Sequence, residues 1–174
     1  MLQANQLPSM RGSELEALFA NADAGTLPVG KGSGQALIAG GSVVARPLAA
    51  LVRLVAWRGK EFDAQGRSLR NLISPFALRA ITADVYIGDS RLDGRPCIVL
   101  DYSKTSRVAG WVRDEIREVE PGLYVGLVYV RSRQAPLRFS LDFADARRVE
   151  ETATYDISRR APHCQDRDQR VRGR

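Results

Sequence analysis

Between about Phe76 and Phe143 the chain alternates apolar and polar residues in short runs separated by turn residues, and a period of two commits a segment to β-structure. Four of these runs carry charges inside the alternation: Ala80-Ile81-Thr82-Ala83-Asp84-Val85-Tyr86, Pro96-Cys97-Ile98-Val99-Leu100-Asp101-Tyr102, Trp111-Val112-Arg113-Asp114-Glu115-Ile116-Arg117 and Leu137-Arg138-Phe139-Ser140-Leu141-Asp142-Phe143. A sheet of such strands has two unlike faces. If it closes into a barrel, one face becomes a lumen, and polar groups fixed in a lumen form a ligand site.

The punctuation between the runs supports antiparallel pairing. Asp89 to Arg95 contains Asp93-Gly94 and joins two runs as a hairpin. Glu120-Pro121-Gly122 is a strong turn ahead of the strand Leu123 to Val130, and Gln134-Ala135-Pro136 reads as the next turn. Trp111 to Val119 fits either a helix or a strand, and the turn after it favours a strand. Ser103 to Gly110 is polar loop.

The first half is less regular. Ser13-Glu14-Leu15-Glu16 has the form of a capping box, and Leu15, Leu18, Phe19 and Ala22 follow at helical spacing up to Gly25. Gly30-Lys31-Gly32-Ser33-Gly34 does not have the order of a phosphate loop, and Gln35-Ala36-Leu37-Ile38 after it reads as a strand. Its glycines suit a tight turn or a close backbone approach. Val44, Leu48, Leu51, Val52 and Val55 form an apolar face that predicts a helix at about 44–57. Asp63-Ala64-Gln65-Gly66 is a turn, followed by a short strand from Ser68 to Ile73.

Composition excludes several classes. The length of 174 residues suits one domain with a real core. No apolar run approaches the ~20 residues of a membrane span, and the first residues lack the basic and apolar regions of a secretory signal, so a cytoplasmic protein is expected. The residues 159–174 hold six arginines and two aspartates, which is +4 of the net charge of +6. This stretch lacks interleaved aromatics, so it reads as a solvated end rather than a nucleic-acid platform. His163-Cys164 resembles a pair of metal ligands, but no other histidine exists to complete a site. The same scarcity excludes a Ser/His/Asp triad. Cys97 sits in a strand as a small buried residue. No motif calls for a cofactor, and nothing in the pattern excludes a homodimer.

At Trp57-Arg58-Gly59-Lys60-Glu61-Phe62, Ala83-Asp84-Val85-Tyr86, Leu100-Asp101-Tyr102 and Leu123-Tyr124-Val125-Gly126 the order of landmarks resembles that of the bacterial GXWXG-type proteins, which look like members of the lipocalin-like (calycin) barrel group. The name-giving tryptophan is replaced by Gly32 or Ser33. The resemblance covers about residues 15–143. It implies an antiparallel lipocalin-like barrel with an internal cavity for a small apolar guest, and it implies no reaction.

The expectation is therefore a mainly β chain. A single barrel of about seven or eight strands would span 13–150, with an N-terminal helix, the helix at about 44–57, and flexible termini at 1–12 and 159–174. Two placements of the charged strand residues remain open. Turned outward, as polar faces of antiparallel sheets usually are, they form a solvated exterior. Turned inward, they form a site. In that case Asp101, Asp114 and Asp84 are the acids that burial could tune for acid–base chemistry. Trp57, Tyr86, Tyr102, Trp111, Arg113, Arg138 and Asp142 are then the ligand-binding set. The function expected is binding of an apolar or amphipathic small molecule, lipid-like in character. The alternatives are a cofactor-free isomerase or cyclase in the same cavity, and an interaction protein that uses its basic tail.

Overall fold

A computed structural model describes residues 2–38, 57–73, 81–106 and 109–144. The helix expected at about 44–57, apart from Trp57, the start of the strand expected from Phe76, His163, Cys164 and the basic tail lie outside the described residues.

Eight strands close into one antiparallel barrel in sequence order: β1 (Gly30–Ile38), β2 (Trp57–Phe62), β3 (Ser68–Ile73), β4 (Thr82–Asp89), β5 (Pro96–Asp101), β6 (Val112–Glu120), β7 (Leu123–Val130) and β8 (Arg133–Asp142). Closure comes from β1 pairing with β8, with Ala36 opposite Phe139 and Gly34 opposite Leu141. Because paired residues in a ladder point to the same side, the register places one ring of partners in the lumen. Lys60 pairs with Gly32 and Asn71, Leu100 with Val85 and Asp114, and Gly126 with Ile116 and Phe139. An eight-strand barrel is just wide enough to be filled by side chains or to hold one small ligand among them. The filling here is largely apolar: Phe62, Leu69, Val85, Ile98, Leu100, Ile116, Tyr124, Phe139, Leu141 and Phe143 pack together. Phe62, Tyr124 and Phe143 meet edge to face at ring-centroid distances of 5.7 Å and floor one end.

A second apolar layer lies outside the barrel. The helix α1 (Gly12–Asn21) lies on the outer face of β6, β7 and β8, and a 3-10 turn at Ala4–Ser9 lies against β1 and β8. Leu7, Leu15 and Phe19 pack there on Cys97, Val99, Leu123, Val125 and Leu127. The first dozen residues, expected to be frayed, are tied down by Leu7, which is wholly buried, and by the Leu2 amide donating to Glu120. The helix also starts earlier than the sequence suggests. Glu14 Oε2 accepts from the Arg11 amide at 2.6 Å, so Arg11 rather than Ser13 precedes the first turn. Glu16, released from capping, pairs with Arg138 and accepts from Gln134.

Two further boundaries differ from expectation. Trp57 opens β2 rather than ending a helix. Gln134-Ala135-Pro136 lies inside β8, because the chain reverses at Arg131-Ser132, whose φ angles of 49° and 69° make the two-residue hairpin turn that right-handed strand twist favours. Pro136 is tolerated where the β7–β8 register shifts, since no ladder bond is required of it there.

Candidate functional site

Five polar side chains enter the lumen at one level. Lys60 comes from β2, Asn71 from β3, Asp114 from β6, Tyr102 from the residue after β5, and Trp57 from the start of β2. Lys60 Nζ donates to Asp114 Oδ2 at 3.0 Å, to Asn71 Oδ1 at 3.0 Å and to Tyr102 Oη at 2.5 Å. Tyr102 Oη donates to Asp114 Oδ2 at 3.2 Å. Asn71 Nδ2 donates to the Ile81 carbonyl and to Tyr102 Oη, and Trp57 Nε1 donates to Asn71 Oδ1 at 3.2 Å. The lysine and aspartate side chains are 4% and 7% exposed. The ammonium also lies 5.2 to 5.6 Å from the ring centres of Trp57, Tyr102 and Phe139, close enough for cation–π attraction.

Local sequence explains each placement. Lys60 and Phe62 share a face of β2 at a spacing of two, as do Leu69 and Asn71 in β3, and Asp114 and Ile116 in β6. Trp57 would fall on the outer face by simple alternation from Lys60. A bulge between Trp57 and Gly59 inserts one residue against β3 and returns the indole to the lumen. Gly59 takes φ 138° there, and a Cβ on it would collide with the Gly32 carbonyl. Gly34, across on β1, leaves the space that the Trp57 ring fills, since a Cβ there would stand 2.5 Å from the indole. The glycine run is thus a strand that admits aromatic rings to the lumen, with none of the loop-to-helix geometry of a phosphate site.

Burial is the largest influence on Lys60 and favours the neutral amine. The attraction of Tyr102 and Asp114 outweighs it, so the ammonium titrates above its usual 10.5. Burial, then the Asp114 charge, push the Tyr102 phenol up to about 12. At neutral pH the phenol is uncharged, and the Asp114 carboxylate is the charge that holds the lysine.

Of the residues singled out in the sequence, Asp114, Tyr102 and Trp57 are brought together in the lumen. The others are not, because they lie on the opposite parity. Asp84 and Asp101 face each other across β4 and β5 on the outer surface, not in the cavity. Asp101 caps the following turn by accepting from the Ser103 amide, and Tyr86, 41% exposed, donates to Asp101 Oδ2 at 3.3 Å. Trp111 is half exposed in the turn before β6. Arg113 lies outside and donates to Glu115 Oε1 and the Asp89 carbonyl. Arg138 is under α1 with Glu16, and Asp142 accepts from the Ala144 amide. The convergence of Asp84, Asp101, Arg113, Arg138 and Asp142 on a ligand is therefore corrected. Apolar residues of the other parity occupy the lumen in their place.

Sequence reasoning missed Lys60 and Asn71. The signal that marks them is a polar residue on the apolar parity of its strand, the reverse of a polar face. The outer charges are not idle either. Arg117, wholly buried beneath α1, donates to both oxygens of Asp93 and to the Phe19, Arg95 and Pro96 carbonyls. Glu115 accepts from Ser90, Arg91 and Arg113. Cys97 is buried among them, and burial followed by the Glu115 charge pushes its thiol up to about 12, which makes it inert. Among the described residues no group of histidine, cysteine and acidic side chains could hold a metal ion, and no helix is long and apolar enough to cross a membrane.

No family model matches the chain, and no curated protein matches it. A solved structure of a protein from Thermomonospora curvata is similar in fold, with a TM-score of 0.59 at 18% identity over 80% of this chain and 93% of that one. At that identity the likeness speaks for the barrel alone.

Proposed function

We propose that this barrel binds an apolar or amphipathic small molecule, with the polar end at the Lys60–Asp114 cluster and the apolar part against the lumen walls. The observation that carries the reading is a lysine–aspartate pair set inside an otherwise apolar barrel. Removing such a pair from water costs several kcal/mol per ion even after relaxation, and an all-apolar filling would serve the fold as well. The rim supports the same reading. Ile81, Val112, Val130 and Leu137, at the end away from the aromatic floor, remain only half-buried, which suits an apolar mouth. We also propose kinship with the GXWXG-type proteins, whose landmarks fall on β2, β4, β5 and β7, and a cytoplasmic setting.

Acid–base catalysis has less support. Two of the three candidate acids lie outside the barrel, and Tyr102 and Lys60 both hold their protons firmly at neutral pH. An ammonium and a phenol so held are suited to fixing the Asp114 carboxylate in place.

Native mass spectrometry of the full chain purified from its own cells tests the reading. The expected spectrum contains a retained small molecule that organic solvent extracts. A Val128→Phe variant, which adds bulk to the lumen face beside Asp114, loses it while keeping its fold. A ligand-free spectrum, together with failure of the extracted protein to take up an apolar fluorescent dye, sinks the proposal.

A further inference from the structure

The hydrogen-bond inventory of the lumen cluster is lopsided. Lys60 has three N–H groups, and all three are used, on Asp114, Asn71 and Tyr102. The single Tyr102 proton goes to Asp114 Oδ2. Both Asn71 amide hydrogens go to Ile81 and Tyr102, and the Trp57 N–H goes to Asn71. No donor is left. The acceptors differ: Asn71 Oδ1, Tyr102 Oη and Asp114 Oδ2 each accept twice, whereas Asp114 Oδ1 accepts nothing among the described residues. Asp114 Oδ1 is also not one of the described polar atoms that are both sealed from solvent and unpaired, and its side chain keeps 7% of its surface accessible. A carboxylate oxygen in an apolar lumen with an unused lone pair is an acceptor awaiting a donor.

We infer that the ligand presents a neutral hydrogen-bond donor, a hydroxyl or an amide N–H, to Asp114 Oδ1, and that the site selects against carboxylate head groups. This rests on the binding reading above. A hydroxyl adds one charge-assisted bond without breaking any existing one. A carboxylate finds no free donor, must displace Tyr102 or Asn71 from Lys60, and brings a second negative charge beside Asp114. An ester, which only accepts, gains nothing from Asp114 Oδ1. Lys60 therefore acts as the counter-ion that holds Asp114 in place, with no free N–H left to bind an anion.

The test compares three probes of equal chain length, decanol, decanoate and methyl decanoate, on the extracted full-length protein at neutral pH. In a Trp111→Phe background the emission of Trp57 reports occupancy of the lumen, since these are the two tryptophans of the chain. Decanol is expected to bind about tenfold or more tightly than either competitor, the fold-change of a hydrogen bond to a charged group. Asp114→Asn, which removes the counter-charge of Lys60, should turn the preference towards decanoate. If decanoate binds the parent protein as well as decanol does, the head-group inference falls while the binding reading stands. If no probe shifts Trp57 emission up to its solubility limit, both fall. The comparison within the parent protein decides the matter even where Asp114→Asn does not fold.

Discussion

Lys60 Nζ and Asp114 Oδ2 meet at 3.0 Å across the interior of the barrel, from strands that are not neighbours in the sheet. The pair thus ties β2 to β6 through the lumen, where no backbone ladder can. Tyr102 closes a triangle with them, at 2.5 Å from the lysine and 3.2 Å from the aspartate. The ion pair braces the barrel from within, and that role has measurable consequences.

Breaking the pair on one side should be costly. Lys60→Met or Asp114→Leu leaves an uncompensated buried charge and is expected to lower unfolding free energy by about 3–5 kcal/mol. Replacing both residues together removes both charges and should recover most of that loss. Urea titrations of the two single variants and the double variant check this, and additive losses in the double variant would refute the coupling.

Stability should fall at alkaline pH. Tyr102 is an acid whose folded value, about 12, lies above its usual 10.0, so the folded state holds the proton over a range where the unfolded state has lost it. Its contribution is complete below pH 10.0 and disappears as pH rises towards about 12. Lys60, raised above 10.5, acts in the same direction. For Tyr102 alone the loss is about 3 kcal/mol at about 1.4 kcal/mol per unit. Urea midpoints measured on either side of pH 10 should decline, and Tyr102→Phe should flatten the slope while lowering stability at neutral pH.

On the outer face, Arg117 is the anchor of α1. Its guanidinium spans the Phe19 carbonyl and both Asp93 oxygens and stacks at 4.5 Å on the Phe19 ring. Lysine offers a point charge where a planar fork is needed. Arg117→Lys is expected to destabilise by roughly 2–4 kcal/mol, somewhat below the ~3–5 kcal/mol of removing a partner of a buried pair outright, because the charge is kept. Amide hydrogen exchange should quicken in residues 12–21 before it does in β7. Asp93, held below its usual value chiefly by the Arg117 hydrogen bond, loses this contribution as pH falls through its folded value.

Trp57 depends on the absence of side chains around it. Gly34→Ala puts a methyl group 2.5 Å from the indole and from the Gly59 backbone, so the ring must leave its place. The expected result is a red-shifted Trp57 emission in the Trp111→Phe background, about 1–3 kcal/mol of lost stability from overpacking, and loss of lumen binding. Trp111→Phe itself, at an exposed turn position, should change stability by no more than about 0.5 kcal/mol.

The alternation in β4 to β8 and the hairpin at Asp93-Gly94 were legible because period and turn chemistry are local properties. The reversal at Arg131-Ser132 was not, since neither residue is a glycine or asparagine that would announce positive φ. Pro136 therefore drew the expected turn to itself. In the site, adjacent residues had opposite fates: Tyr102 points into the lumen and Asp101 out, although the sequence marks both.

By itself the sequence determined which residues share a face, because a period of two is a property of the extended chain. It did not determine which face is inside. Tertiary closure decided that: a barrel of eight strands has an interior shielded from water, and the apolar parity lines it at the lowest cost. The charged parity went outside, where Arg117 is wholly buried beneath α1 and Glu115 beneath Ser90 and Arg91 of the β4–β5 connection. The residues of interest are then the exceptions on the apolar parity, Lys60, Asn71, Tyr102 and Asp114, together with Trp57, which only the bulge at Gly59 turns inward. Those five are distant in the chain, and closing the sheet is what places their polar atoms within hydrogen-bonding reach.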